Sequence, residues 1–398
     1  MRILMLSDVY FPRINGVSTS IQTFARDLAA MGHEIDLLAP EYPHRTPGSE
    51  LAIERIPSRY LFFDPEDRMM SGRMIRRKIP TLRSRHYDLV HIQTPFVAHY
   101  SGIRIARALG VPLVETYHTH FEEYLYHYLP WLPARWLRSA ARGFTRSQCN
   151  QVDAVVVPSS PVQETLLAYG VQTPLQVIPT GLDIQRFRHG NGARFRQAQG
   201  IAADRPVLVH VGRVAHEKNI DFLLQVLQRV RVAVPEVLLM IVGEGPARRH
   251  LERLARQLGV QSSVLFLGYL DRERELLDCY SAGDVFVFAS RTETQGLVLL
   301  ESMALGVPVV ALAEMGTRDI LAPGRGALVA REDPEDFAAK VLQLLRNPGL
   351  RKALAIDARE YAGNWDGPVL AQRMLDLYRS LNAVSSAPIS RKPERGRG

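Results

Sequence analysis

The 398-residue chain has only two cysteines, Cys149 and Cys279. They lack metal-ligand spacing and make no disulfide framework, which favours a reducing compartment. Long apolar runs are also missing. The longest, Leu297 to Ala313, is broken by Glu301, Gly306 and Pro308, so no membrane-spanning helix is expected. Met1-Arg2 opens onto Ile3-Leu4-Met5-Leu6 and soon reaches Asp8, an apolar stretch too short for a signal peptide. Any membrane contact is therefore expected to be peripheral. No solenoid-type repeat is visible, and the Gly-x-Gly-x-x-Gly turn of dinucleotide sites is absent.

What is present is enough apolar sequence for sizeable cores, with 46% hydrophobic residues. At about 150 residues per domain, the length implies two or three domains. Lysine and arginine total 49 against 41 acidic residues, a formal charge of +8. Such a surface suits nucleic acid, anionic lipid or a phosphorylated small molecule. No nucleic-acid recognition motif accompanies the charge, so a basic nucleic-acid-binding protein is the remote alternative.

The stretch Asp284 to Leu312 organises the rest. Asp284–Ala289 and Val307–Leu312 read as buried parallel strands, and Gly296 to Leu305 between them has helical spacing that stops at Gly306. Glu293 falls in the loop past the first strand. Glu301 falls about a turn and a half into the helix at ~3.6 residues per turn, so both carboxylates are able to face one crevice, where open α/β sheets bind ligands. Thr294-Gln295-Gly296 offers amide N–H groups at the positive end of a helix dipole, which suits phosphate. Hydroxyls would then sit on the carboxylates, which accept only when ionised. The plain alternative is that both glutamates simply cap the helix.

The same strand, Gly-containing loop and helix order recurs along the chain. Ile3–Leu6 leads into Pro12-Arg13-Ile14-Asn15-Gly16 and a helix to about Met31, where Gly16 allows close backbone approach to a phosphate. Leu89–Gln93 and Leu113–Tyr117 are strands ending in polar residues, among them His118. Val207–Val211 leads into Gly212-Arg213 and Lys218, a planar fork and a point charge for phosphate oxygens. Leu238–Val242 leads into Gly243-Glu244-Gly245-Pro246, and Val264–Leu267 into Gly268-Tyr269-Leu270. The polar stretch before Pro206 reads as the join between two such runs.

Two stretches are basic and apolar together. Arg55 to His86 holds nine Arg or Lys and three acidic residues, interleaved with apolar side chains, and reads first as a solvated helix face. Farther on, Tyr124 and Trp131 precede Arg135, Arg138, Arg142 and Arg146, which share one helix face with Trp136 and Leu137 close by. Basic side chains beside exposed Trp describe an interfacial helix on anionic lipid, with an interdomain or core-edge helix as the alternative.

Taken together, Gly212-Arg213 with Lys218, Gly243 to Pro246, and Glu293 separated by seven residues from Glu301 resemble the nucleotide-sugar site of family 4 retaining glycosyltransferases of the GT-B fold. The resemblance runs from Met1 to about Leu381. It implies an α/β fold of two Rossmann-like domains facing a cleft. Residues 1–185 form the acceptor-side domain, 186–364 the donor domain, 365–382 a helix crossing back to the first, and 383–398 a disordered tail. It further implies that Asn15 and Gly16 close on the donor diphosphate and that Arg213 and Lys218 neutralise it. Gly212, Gly243, Gly245, Tyr269, Thr294, Gln295, Gly296 and Leu297 join them around the donor, Glu301 holds the ribose, Glu293 contacts the sugar, and His118 lies beside its reacting face. No Asp-x-Asp occurs, which agrees with a site needing no metal or other cofactor.

Tyr117-His118-Thr119 and Thr292 to Gly296 look like the subgroup of bacterial diacylglycerol α-glucosyltransferases and related glycolipid synthases. Met315 to Asp319 departs from the Gly-Gly-rich pattern common in the family. The expectation is transfer of a hexose, glucose first, from a UDP-sugar to a lipid acceptor at an anionic membrane, by a cytoplasmic enzyme peripheral on the inner face. The alternatives are GDP-mannose or another UDP-sugar with phosphatidylinositol or a polysaccharide precursor, and a UDP-sugar 2-epimerase.

Overall fold

The structure, a computed structural model, describes residues 1–13, 15–43, 52–61, 64–118 and 134–386. They form two compact units. The first holds Met1–Val157, Leu166–Ile178 and the chain from Ala371 onward; the second holds Pro158–Thr165 and Pro179–Leu370. Residues 179–185, expected in the first domain, belong to the second. Their backbone is tied there, since Leu182 N–H donates to Trp365 O at 2.8 Å and Thr180 pairs with Gln295.

In the first unit the strands are β1 (Arg2–Leu6), β2 (Glu34–Pro40), β3 (Ala52–Ile56), β4 (Ser58–Leu61), β5 (Asp64–Met70), β6 (Leu89–Ile92), β7 (Leu113–Thr116), β8 (Ala154–Val157) and β9 (Leu175–Val177). Seven make a sheet in the order β3-β2-β1-β6-β7-β8-β9, with every pairing parallel. β4 and β5 form a separate antiparallel ribbon. The stretch 55–86 is thus not one basic helix face: it begins in β3 and the ribbon, and among its described residues only Gly72–Arg83 is helical. The strands escaped the sequence reading because β3 is an edge strand, AIERI, with two adjacent charges at its middle and one fully buried residue, Ile56. Charged edge strands lack the apolar run that marks central ones.

The second unit contains β10 (Val207–Val211), β11 (Leu238–Val242), β12 (Val264–Gly268), β13 (Val285–Phe288), β14 (Val309–Leu312) and β15 (Ala327–Ala330), ordered β12-β11-β10-β13-β14-β15. All are parallel, so both faces must be covered. Side chains alternate accordingly. Val207, Val209, Phe286 and Phe288 enter one core with helix Leu297–Ala304, while Leu208, Val285 and Val287 enter the other with helices Ile220–Ala233 and Pro334–Arg346. The strand order reverses beside β10, whose neighbours β11 and β13 run on to opposite edges. That reversal opens a crevice at the strands' carboxyl ends.

The last helix, Gly367–Ser386, starts in the second unit and belongs to the first from Ala371 on. It continues four residues into the expected tail, since nothing before Pro388 breaks a helix; residues 387–398 lie outside the described residues. Within the first unit its Tyr378 hydroxyl meets His91 Nδ1 at 2.6 Å, and Thr116 Oγ1 meets His91 Nε2 at 2.7 Å. Burial pushes the His91 pKa down to about 3. In the second unit His210 on β10 donates from Nδ1 to Val287 O at 3.2 Å, and burial likewise brings it to about 4.

Both rings are therefore neutral when folded and take up a proton on unfolding below the ordinary histidine pKa of ~6.5. Stability should fall as pH drops from ~6.5 towards 4, at up to about 1.4 kcal/mol per pH unit for each histidine. Urea unfolding of His91→Gln between pH 7.5 and 5 should show that slope reduced by one proton's worth in the first unit; an unchanged slope means His91 is not buried neutral.

Candidate active site

Two loops reach the crevice of the second unit, one after β10 and one after β13. The first runs from Gly212 through a short 3-10 turn, His216–Lys218, and is reversed by Asn219 in the left-handed region at φ 56°. The second runs from Ala289 to Gly296. Lys218 Nζ lies 2.6 Å from Glu293 Oε1, with both side chains about one-fifth exposed. The strand reversal therefore brings together a cation and a carboxylate separated by 75 residues. The other Glu293 oxygen has no partner among the described residues, and the Glu293 carbonyl is fixed by the Gly316 N–H at 2.8 Å. Arg213 opens the first loop with its side chain exposed.

Beside Glu293 the backbone is open to an anion. No N–H from Thr294 to Val298 finds a partner among the described residues, as expected where a helix begins. Gly296 turns into that helix at φ 92°. Gln295, expected on the donor, is 6% exposed, and its amide is paired twice with the Thr180 backbone, both bonds 2.8 Å. The side chain is a staple, and its N–H is what remains for a ligand.

Glu301 lies deeper, 4% exposed. Tyr280 Oη donates to Oε2 at 2.7 Å and an Arg272 nitrogen to Oε1 at 3.1 Å. Each carboxylate oxygen keeps a further lone pair for a hydroxyl, so the expected ribose contact is compatible with this cradle. Sequence reasoning missed Tyr280 and Arg272. The tyrosine sits in an apolar helix and the arginine in a charged run, Asp271 to Glu275, neither of which signals a site. It also missed His210, which reads as part of a buried strand yet has Lys218 and Glu293 in its electrostatic surroundings.

The glycines act through backbone proximity. A Cβ on Gly243 would overlap the Gly212 carbonyl oxygen, and one on Gly245 the Val214 carbonyl. They let the loops after β10 and β11 touch, as Val214 N–H donates to Glu244 O at 2.9 Å and Ala247 N–H to Val214 O at 3.0 Å. Tyr269 is 75% exposed after β12, and Leu297 begins the helix.

In the first unit, Asn15 caps helix Gly16–Ala30 by accepting from Ser18 N–H at 2.8 Å. The Gly16 N–H has no partner among the described residues. His118 follows β7 and donates from Nε2 to Gln93 Oε1 at 3.0 Å; burial lowers its pKa to about 4, so the ring is neutral near pH 7. Helix Ala134–Cys149 forms as expected. Arg135, Trp136, Arg138 and Arg142 are exposed on it, with Arg142 5.3 Å from the Tyr169 ring centre, whereas Leu137 is buried. Tyr124 and Trp131 lie outside the described residues.

Comparison with known proteins decides the family. The model described as Glycosyltransferase Family 4 matches residues 14–186, and that of Glycosyl transferases group 1 matches 192–361. An alpha-monoglucosyldiacylglycerol synthase of Streptococcus pneumoniae is 33% identical over 351 residues, 87% of this chain and 78% of the relative. The chain is a family 4 glycosyltransferase. As such it is an enzyme, a hexosyltransferase. A GDP-mannose-dependent alpha-mannosyltransferase of Mycobacterium tuberculosis is 29% identical over 390 residues, 96% of this chain and 97% of the relative. Among solved structures, sucrose-phosphate synthase from Thermosynechococcus elongatus superposes with a TM-score of 0.76 at 22% identity, covering 96% of this chain and 99% of that one. The glycosyltransferase has the GT-B fold, two Rossmann-like sheets of parallel strands with flanking helices.

Two substitutions separate ligand-facing from scaffold roles in this glycosyltransferase. Lys218→Ala should lower turnover by ~10²–10³, as loss of one charge-stabilising donor does, without moving the melting temperature downward. Gln295→Ala removes both hydrogen bonds from its side chain to the buried Thr180 backbone and should cost about 1–3 kcal/mol of stability. Near-normal turnover in the first variant, or unchanged urea unfolding in the second, contradicts these roles.

Proposed function

We propose that this glycosyltransferase moves a hexose, glucose by preference, from a UDP-sugar to a membrane lipid such as diacylglycerol, retaining the anomeric configuration and giving an α-glycolipid. The observation that carries the reading is the Lys218–Glu293 pair, 2.6 Å apart at a strand reversal, beside amides with no partner among the described residues. One side of that arrangement suits a diphosphate and the other a sugar hydroxyl. Lys218 and Arg213 neutralise the leaving diphosphate, the amides from Thr294 to Leu297 add donors, Glu293 orients the sugar and Glu301 the ribose. The positive charge thus comes from side chains, and the transfer is proposed to need no metal ion.

In the transfer itself the bond from the anomeric carbon to the phosphate oxygen breaks while one to the acceptor oxygen forms on the same face. The acceptor's proton goes to the departing phosphate. Charge developing on that phosphate is what preorganised donors stabilise most. Neutral His118 is the group of the first unit assigned to the sugar, able to donate or accept without adding charge.

Glucose and diacylglycerol are supported by the 33% identity to the alpha-monoglucosyldiacylglycerol synthase of S. pneumoniae. The 29% identical M. tuberculosis relative supports a second reading with GDP-mannose as donor. Among the described residues no helix is long and apolar enough to cross a membrane. Arg135, Trp136 and Arg138 on helix Ala134–Cys149 support peripheral binding at the inner face of the cell membrane, where each basic residue near an anionic surface contributes about 1 kcal/mol.

The deciding assay gives the purified chain UDP-glucose, UDP-galactose, UDP-glucuronate or GDP-mannose, each with diacylglycerol in anionic vesicles or in detergent alone. UDP-glucose with anionic vesicles should turn over fastest, and vesicle binding should rise with anionic lipid and fall with salt. Turnover of GDP-mannose alone selects the second reading, and indifference to lipid charge and salt removes the membrane acceptor.

A further inference from the structure

A second cluster of chemistry-bearing side chains lies on the outer side of the β10 loop. His216, Asp221 and His250 present ligand atoms all within 4.8 Å of one another. His250 Nε2 is hydrogen-bonded to Asp221 Oδ1, and the His216 and His250 rings are 5.4 Å apart between centres. The His216 ring has no hydrogen-bond partner among the described residues. An Asp–His pair by itself is an ordinary surface contact. A second imidazole turned onto it supplies a third donor that the pair does not need.

The backbone explains why the three meet. Left-handed Asn219 folds the chain back between the turn carrying His216 and the first turn of helix Ile220–Ala233, which carries Asp221. Val214 is locked to the β11 loop by bonds from its N–H to Glu244 O and to its own carbonyl from Ala247 N–H, an approach that glycine at 245 permits. His216 stands two residues past that lock on one strand of chain. His250, in helix Arg248–Gln257, stands three residues past it on the other.

We propose that His216, Asp221 and His250 form a binding site for a divalent transition metal of the zinc class. Two imidazoles and one carboxylate are the donor set of open zinc sites, with a fourth position left for water. One oxygen donor among three is too few for Mg²⁺ or Ca²⁺, which require oxygen-rich shells. The bound dication replaces the His250–Asp221 hydrogen bond and ties the 3-10 turn to both helices. It takes no part in the transfer chemistry, but it fixes the turn that ends in Lys218.

The test is isothermal titration of the untagged full chain with ZnSO₄, and separately MgSO₄, in a non-chelating buffer, repeated on His216→Ala and His250→Ala. Zinc should bind one to one and raise the melting temperature, with slowed amide exchange across residues 214–222. Either substitution should weaken binding by at least about tenfold, the loss that even outer-shell changes produce. Co²⁺ in place of zinc should give visible absorption that both variants lose. Exposed His216 can be removed without disturbing a core, so a folded His216→Ala that still binds zinc like the parent chain overturns the proposal. Equal binding of Mg²⁺ overturns it as well.

Discussion

The second unit depends on one constraint: β10 and β13 lie side by side although their sequences are far apart, so the loops leaving them must share a crevice. Lys218 and Glu293 occupy that shared space. At 2.6 Å and about one-fifth exposure, the pair is held in a medium less screening than water, where opposite charges attract several-fold more strongly than at an open surface. Without a ligand the carboxylate keeps the ammonium extended and oriented. An ammonium carries three N–H donors, so on the proposed reading a donor diphosphate would share Lys218 with Glu293 rather than displace it. Preorganisation of this kind removes the reorganisation cost from the reacting step.

How much of this could be read in the sequence follows from what each residue touches. Central strands such as VLVHV and VFVF announce themselves because both faces of a parallel sheet are buried, and the glycines and charges that follow them mark loop ends. The family-level fold and the meeting of Lys218 with Glu293 were therefore legible. Edge strand β3 and the β4–β5 ribbon were not, because a strand with one solvent-facing edge carries charges that resemble a helix face. Tyr280 and Arg272 were equally silent. Their role depends on a contact made across 21 and 29 residues of chain, and no local pattern encodes such a contact.

Gln295 divides two roles within one residue. A residue in a ligand loop invites a ligand role, yet its side chain is spent on the Thr180 backbone within the same unit, at two bonds of 2.8 Å. The staple is what holds the amides from Thr294 onward in one place. A loop that must leave several N–H groups unpaired has lost the usual source of its rigidity. It recovers order through side chains: Gln295 on Thr180, Ser159 Oγ donating to Thr294 O at 2.7 Å, and the Gly316 N–H on Glu293 O. Ligand-facing backbone and structural side chain are thus two halves of one device.

The same reasoning separates the two glutamates. Glu301 is nearly buried and both its oxygens accept from neighbours, so its charge is compensated within the protein and its orientation is fixed before any ligand arrives. Glu293 is more open, with one oxygen committed to a lysine that itself has another task. A buried carboxylate with two fixed donors suits recognition of a neutral diol, because additional hydroxyls occupy its remaining lone pairs without disturbing the charge balance. A carboxylate about one-fifth exposed and sharing its cation suits a place where charge changes. The seven residues between them carry the chain from loop to helix interior, and that change of burial is what sets their surroundings apart.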